Sequence, residues 1–314
     1  KNNNKGKNMN NLKKIGLTAL AASLVTTSAF AGEMSVAGSA SIGVKNTTGT
    51  NTALGKSWTM GNQLTFTGGG ELDNGMNVSL SFIIDQADDS TTGLANSPFD
   101  SHSVTISSDA LGSFKFSGEG GSSAQGAMDA GAAGDLWNNG TGVAEITGAA
   151  AGNNSMFYTL PSMVDGLEVT ASMSPGKAAQ ETHTSYGVAY TGVEGLTVKF
   201  GQGDSGAPGA EIESTTMMAS YAIGSFTVSA SNTEADKTGA NNREVRSYQV
   251  AYTLSDSMSA TYGTETYETV GSSTDEEIDS LGVSYTTGGM TLSANTFDTE
   301  GAGNTAGAKT ERWA

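Results

Sequence analysis

Residues 72–84 read LDNGMNVSLSFII, and their spacing decides the fold. From Met76 onward the even positions, Met76, Val78, Leu80, Phe82 and Ile84, are all apolar. The odd positions Asn77, Ser79 and Ser81 are small and polar, with Ile83 the one exception. A period of two places the two sets on opposite faces of a strand. The Asp73-Asn74-Gly75 triplet in front of it has the composition of a tight turn. The same alternation returns at 167–173, 196–200, 226–230, 248–254 and 290–294.

Alternation alone also fits a water-soluble sandwich, whose strands bury one face and wet the other. The connections separate the two cases. Tight turns are expected at 73–75, 110–112, 164–166, 193–195, 223–225, 255–257 and 287–289. Longer polar connections lie between them, at 45–57, 85–102, 119–154, 173–184, 202–213, 231–244, 265–279 and 298–310. Short and long connections alternate, so all tight turns fall at one end of the strands and all long loops at the other. Eight long and seven short connections define 16 strands. That asymmetry, an even strand number and segments of about ten alternating residues are the signature of an outer-membrane barrel. The expected fold is therefore all-β, a 16-stranded antiparallel transmembrane β-barrel. Its last strand, starting at Thr310 and stopping at Ala314, reads as truncated. Aromatic residues near strand ends, Trp58, Tyr158, Tyr190, Tyr252 and Tyr285, suit the interfacial girdles of such a barrel.

The N-terminal region divides into an upstream extension, residues 1–8 (KNNNKGKN), and a signal peptide, residues 9–31. The latter has Lys13 and Lys14 before an apolar run at 15–25 and the small-residue site Ala29-Phe30-Ala31. The run is 11 residues long, well short of the roughly 20 that a spanning helix needs. Residues 32–314 form one domain with ten basic and 32 acidic residues, a formal charge of −22, which excludes nucleic acid as a partner. Cysteine is absent, so neither disulfides nor thiolate metal sites are available. Charged residues are 15% of the chain against about 25% in soluble domains, with 43 glycines and many Ser and Thr instead. An inner face that meets water without needing a soluble protein's Lys and Glu accounts for this.

With its AFA site, MSVAGSASIGV (34–44), ELDNGMNVSLSF (71–82), LGSFKFSGEG (111–120), GDLW (134–137), GLEVTASMS (166–174) and GLTVKFGQGD (195–204), the chain resembles a known family. That family is the general diffusion porins of Gram-negative outer membranes, in particular the alphaproteobacterial 16-stranded type. The resemblance implies passive diffusion of small hydrophilic solutes and ions, an outer-membrane location and a homotrimer. It also implies contact with outer-membrane lipid and lipopolysaccharide, dependence on the barrel-assembly machinery, and neither catalysis nor a cofactor. It further implies that 119–154, the third long connection, folds into the barrel and narrows it.

Asp129, Asp135 and Glu145 then place negative charge at the constriction, and alternation puts Lys115 and Lys199 on the water-facing side. The excess of acids predicts weak cation preference. A substrate-specific channel for sugar, phosphate or peptide shares these features, and a secreted β-rich adhesin shares the alternation alone. The two histidines, His102 and His183, fall in long connections without zinc-site spacing. Asp275, Glu276, Glu277 and Asp279 offer carboxylates for Ca²⁺, against the competing reading of a solvated charge run.

Overall fold

A computed structural model of the protein describes residues 34–50, 55–85, 99–129, 132, 136, 146, 148–176, 181–239 and 242–314. Sixteen strands follow one another: β1 (Met34–Gly49), β2 (Gly55–Glu71), β3 (Asn77–Asp85), β4 (Phe99–Ser108), β5 (Gly112–Glu119), β6 (Ser155–Thr159), β7 (Leu167–Ser174) and β8 (His183–Tyr190). They continue as β9 (Leu196–Ala207), β10 (Ala210–Ile223), β11 (Phe226–Lys237), β12 (Arg243–Ser255), β13 (Met258–Thr269), β14 (Glu276–Thr287), β15 (Met290–Glu300) and β16 (Lys309–Trp313). Each pairs antiparallel with its sequence neighbours, and β16 pairs with β1, closing the barrel. The closing ladder is short, joining Asn46–Gly49 to residues 313–310. On the other side of β16, Asn295 and Ala314 exchange both backbone hydrogen bonds at 2.8 and 2.9 Å.

The two faces of the sheet match the alternation. Val228, Val250, Tyr262 and Leu281 occupy one row across four strands and are 43–54% exposed. The opposite face is small and polar, with Ser229, Ser231 and Ser247 buried on β11 and β12 and Ser214 on the neighbouring β10. A wall that is apolar outside and hydroxyl-rich inside suits hydrocarbon on one side and water on the other. No helix among the described residues is long and apolar enough to cross a membrane; the strands do so instead. Tyr190, Tyr252 and Tyr285 stand on the outer face near the tight turns, and the Tyr158 hydroxyl donates to the Leu111 carbonyl at 2.6 Å. Tyr186, Tyr248 and Tyr262 form a second outward group nearer the long loops.

The tight turns lie where expected, and some close on glycines in the left-handed region, such as Gly75 (φ 80°) and Gly195 (φ 76°). The long connections differ. Between β9 and β10 only residues 208–209 remain of the expected loop at 202–213, and between β13 and β14 only 270–275. The strands run on after the outward residues change from apolar to acidic or amide, so the hydrophobic signal stops while the backbone ladder continues. His102 consequently belongs to β4, stacked on Phe82 with ring centroids 6.4 Å apart, and His183 opens β8 with Nδ1 2.6 Å from an Asp204 carboxylate oxygen.

The face assignment has a direct consequence. Val250→Arg puts a guanidinium into the apolar belt, at a cost of about 2–4 kcal/mol near the bilayer midplane. Gln249→Arg, pointing into the lumen, is expected to cost little. Urea unfolding of barrels folded in vesicles should therefore give Val250→Arg a clearly lower stability than Gln249→Arg, and equal losses would invert the face assignment for β12.

Candidate functional site

The lumen is organised by the chain between β5 and β6. Its first element is a short helix, α1 (Ala124–Met128), capped by Ser123, whose Oγ accepts from the Gly126 N–H at 2.9 Å. The helix ends at Asp129, whose backbone N–H bonds the Gln125 carbonyl. Three flanking strands provide a seat of small residues. A side chain at Gly201 would put its Cβ 2.9 Å from the Gln125 Cα, and one at Gly187 would put it 2.7 Å from the Ala124 carbonyl oxygen. The backbone of α1 therefore lies directly on the inner surface of β8 and β9.

Wall hydroxyls satisfy the start of the helix. The Ala124 N–H lies 2.9 Å from both Ser172 Oγ on β7 and Ser185 Oγ on β8, which are 2.6 Å from each other. Gln125 is completely buried; its amide nitrogen donates to Thr216 Oγ1 on β10 at 2.8 Å, and its amide oxygen accepts from the Ala149 N–H at 2.9 Å. One side chain thus joins the outgoing limb, the returning limb and the wall. Thr216 is 3.0 Å from Thr233 on β11, and Thr233 donates to an Asp129 carboxylate oxygen at 2.8 Å.

Further along, the Ala132 N–H donates to Ser231 Oγ at 2.8 Å. The Leu136 N–H reaches Glu265 on β13 at 2.6 Å. Glu265 is 1% exposed and also accepts from the Tyr267 hydroxyl at 2.6 Å and Ser247 Oγ at 3.0 Å, so the carboxylate stays fully bonded while buried. The Leu136 side chain packs with Tyr267, Ile278 and Phe297 from β13, β14 and β15. On the return, Ile146 packs against Ile212 and Ala235, and the Ala150 N–H bonds the Asp204 carbonyl at 2.9 Å. Gly121 and Gly152 exchange backbone bonds at the base. In its described parts the segment is bound to the inner face from β7 to β15, with the inner face of β1–β4 across the lumen.

Of the residues read from the sequence, Asp129 lies on this segment and faces Thr233. Asp135 and Glu145 lie outside the described residues. Lys115, on β5, is exposed on the inner face beside Thr105 and Phe157. Lys199 also faces inward, but on β9, two residues from Gly201; it stands on the same wall as α1, not opposite it. Alternation splits the acidic run. Glu276 is buried on the inner side, accepting from the Gly303 N–H at 2.6 Å, whereas Asp279 faces outward and accepts from the Tyr262 hydroxyl at 2.9 Å. Among the described residues no group of three His, Asp or Glu side chains could hold a metal ion.

Sequence reading missed Gln125, Glu265, Lys45 and Arg312. The last two fall on the inner face of β1 and β16, Arg312 with its guanidinium 5.7 Å from the Phe297 ring centroid. Their alternation parity alone would have placed them there.

The description "Gram-negative porin" is matched by residues 16–276. No curated protein sequence gives a match. Among solved structures, the anion-selective porin from Comamonas acidovorans superposes with a TM-score of 0.65 at 13% identity, over 90% of this chain and 98% of that one. OmpF of Salmonella typhi, in complex with daunomycin, gives 0.65 at 12% identity over 90% and 96%. A substituted Rh. blastica porin gives 0.64 at 11% identity over 90% and 98%. At these identities the likeness is one of fold.

If Gln125 clamps the segment, Gln125→Ala leaves the Ala149 N–H without its acceptor, a cost of about 1–3 kcal/mol. Larger open-channel noise and faster proteolysis within 119–154 are expected, with heat-modifiable gel migration unchanged. Gly201→Val, which drives a side chain into α1, should act in the same direction. Quiet, wild-type traces from both variants would mean that the segment is held elsewhere.

Proposed function

Because the chain belongs to the Gram-negative porin family, a family of non-enzymatic outer-membrane channels for solute diffusion, we propose that it passes small hydrophilic solutes and ions passively and prefers cations weakly. The observation that carries this reading is the segment fastened across the lumen from β7 to β15, which leaves the passage to the side lined by β1–β4. In this reading 119–154 is the constriction and residues 9–31 are the export signal. A 16-stranded barrel is wide enough to hold water beside such a segment. A closed barrel also leaves the adhesin alternative without support, since an adhesin has no use for a lumen.

The charge pattern supports weak selectivity. Asp129 lies on the segment, joined in this proposal by Asp135 and Glu145. Lys45, Lys115, Lys199 and Arg312 project from the wall, and much of the remaining lining of β1–β4 is uncharged, for example Ser39, Gln63, Thr65 and Thr105. A few carboxylates in a narrow passage focus a field on permeating ions, while bases on the wall oppose it. The anion-selective Comamonas acidovorans porin has the same fold, so the sign of selectivity depends on such residues.

Homotrimer formation is also part of the proposal. The outward residues of β1–β3 include no acid, and Ile42, Trp58, Met34 and Met60 are 62–76% exposed. From β9 to β16 the outer face carries carboxylates near the loops, as in the rows Asp204–Glu213–Asp236 and Asp279–Asp298–Glu311. Like charges oppose self-association of that sector, so copies of the chain would meet through β1–β3.

Reversal potentials across a KCl gradient test the selectivity. Cation preference is expected at low salt and should fade as salt screens the field. Asp129→Asn with Asp135→Asn should move the potential toward zero or past it. Anion preference in the wild-type channel would overturn the reading, and block by a particular sugar, phosphate or peptide would favour a substrate-specific channel.

A further inference from the structure

Several large apolar side chains on the inner wall serve to hold the inserted segment. Leu136 packs with Tyr267, Ile278 and Phe297, Ile146 packs with Ile212, and Val245 lies against both groups. Ile83 on β3, Phe157 on β6 and Met218 on β10 also point inward but belong to neither group. Met218 is in register with Ser231, which accepts from the Ala132 N–H, so it stands at the foot of the segment. Ile83 is flanked by the uncharged Thr65 and Ser101. Phe157 differs from both, because the residue directly opposite it on β5 is Lys115.

Directly opposed residues of an antiparallel pair hold their Cβ atoms about 4.5–5.5 Å apart, so a cation and a ring share one patch of wall. Lys115 is exposed and pairs with no carboxylate among the described residues. Phe157 is half-buried, and among the described residues no other ring and no cation is stacked on it. The neighbours in the same row are hydroxyls, Thr105 beyond Lys115 and Ser172 beyond Phe157. Ser172 accepts from the Ala124 N–H at the start of α1. The patch therefore lies one strand outside the seat of the helix, at the border of the passage lined by β1–β4. A solute that passes the segment slides by a fixed cation and an adjoining apolar face.

We propose that Lys115 and Phe157 form a transit site for aromatic carboxylates, with the carboxylate on the Lys115 ammonium and the solute ring against that of Phe157. The ammonium supplies a charge-assisted hydrogen bond, and the ring supplies an aromatic contact worth more than its area alone. An aliphatic acid would use the first and leave Phe157 in water. A neutral ring would use the second and leave the ammonium without a counter-charge. An aromatic cation would meet Lys115 as a like charge. Two weak contacts suit a channel, where a solute must leave as readily as it enters. The proposal rests on the channel reading, whatever the sign of the overall ion selectivity.

The test uses the full chain refolded into planar bilayers in neutral KCl, with benzoate, cyclohexanecarboxylate, benzyl alcohol or benzylammonium added and association constants read from the current noise. Benzoate is expected to bind about fivefold more tightly than cyclohexanecarboxylate, which has the same charge and similar bulk but no π-face. Benzyl alcohol and benzylammonium should leave the current quiet. Phe157→Leu should remove the margin between the two acids, and Lys115→Gln should remove the binding of both. Heat-modifiable gel migration like that of the wild type shows that both variants are folded barrels. Equal binding of benzoate and any other probe, a margin that survives Phe157→Leu, or benzoate binding that survives Lys115→Gln would each overturn the proposal and leave the channel reading standing. A wild-type barrel that conducts no KCl would overturn the channel reading, and this proposal with it.

Discussion

In hydrocarbon a backbone N–H or C=O without a partner costs several kcal/mol, and that requirement governs this structure. Every spanning strand needs a ladder on both sides, which closes the sheet on itself and leaves sequence neighbours as spatial neighbours. Closure at 16 strands then creates a lumen too wide for wall side chains to fill. What stands in that space must be supplied by a connection, and the one between β5 and β6 supplies it.

The inner wall serves two needs with one composition. Small hydroxyl residues wet the passage and also accept or donate hydrogen bonds wherever the inserted segment lies against them, as Ser172, Ser185 and Ser231 do. Glycines at 187 and 201 allow the backbone of α1 to touch the sheet. Attachment through many short side chains keeps the polar groups of a buried segment satisfied. Larger polar side chains fasten it at Gln125 and at the Glu265 and Tyr267 pair beneath Leu136, and apolar ones pack where Leu136 meets Ile278 and Phe297 and where Ile146 meets Ile212.

The outer wall is zoned along the strand. An apolar belt with tyrosines toward each end gives way, near the loops of β9–β16, to rows of facing carboxylates. The sheet outlasts the belt because the ladder is indifferent to what the side chains face. Arg246, between the two zones, is bonded by carboxylates on its loop side and borders apolar surface on the other.

By itself the sequence determined the class of fold, the number of strands, which residues face lipid, and the inward direction of Lys115 and Lys199. All of these follow from a period of two and from turn residues, which are local properties read over a few positions. It also marked 119–154 as exceptional by length and composition. The tertiary structure alone decided how far each strand continues beyond the apolar belt, because the ladder there depends on a neighbouring strand and not on hydropathy. It alone decided which wall the segment lies against, and so set Lys199 beside α1. Its anchors join Gln125 to Thr216 and Leu136 to Glu265, pairs 91 and 129 residues apart. Contacts at that separation exist only once closure has brought the strands to opposite sides of one lumen.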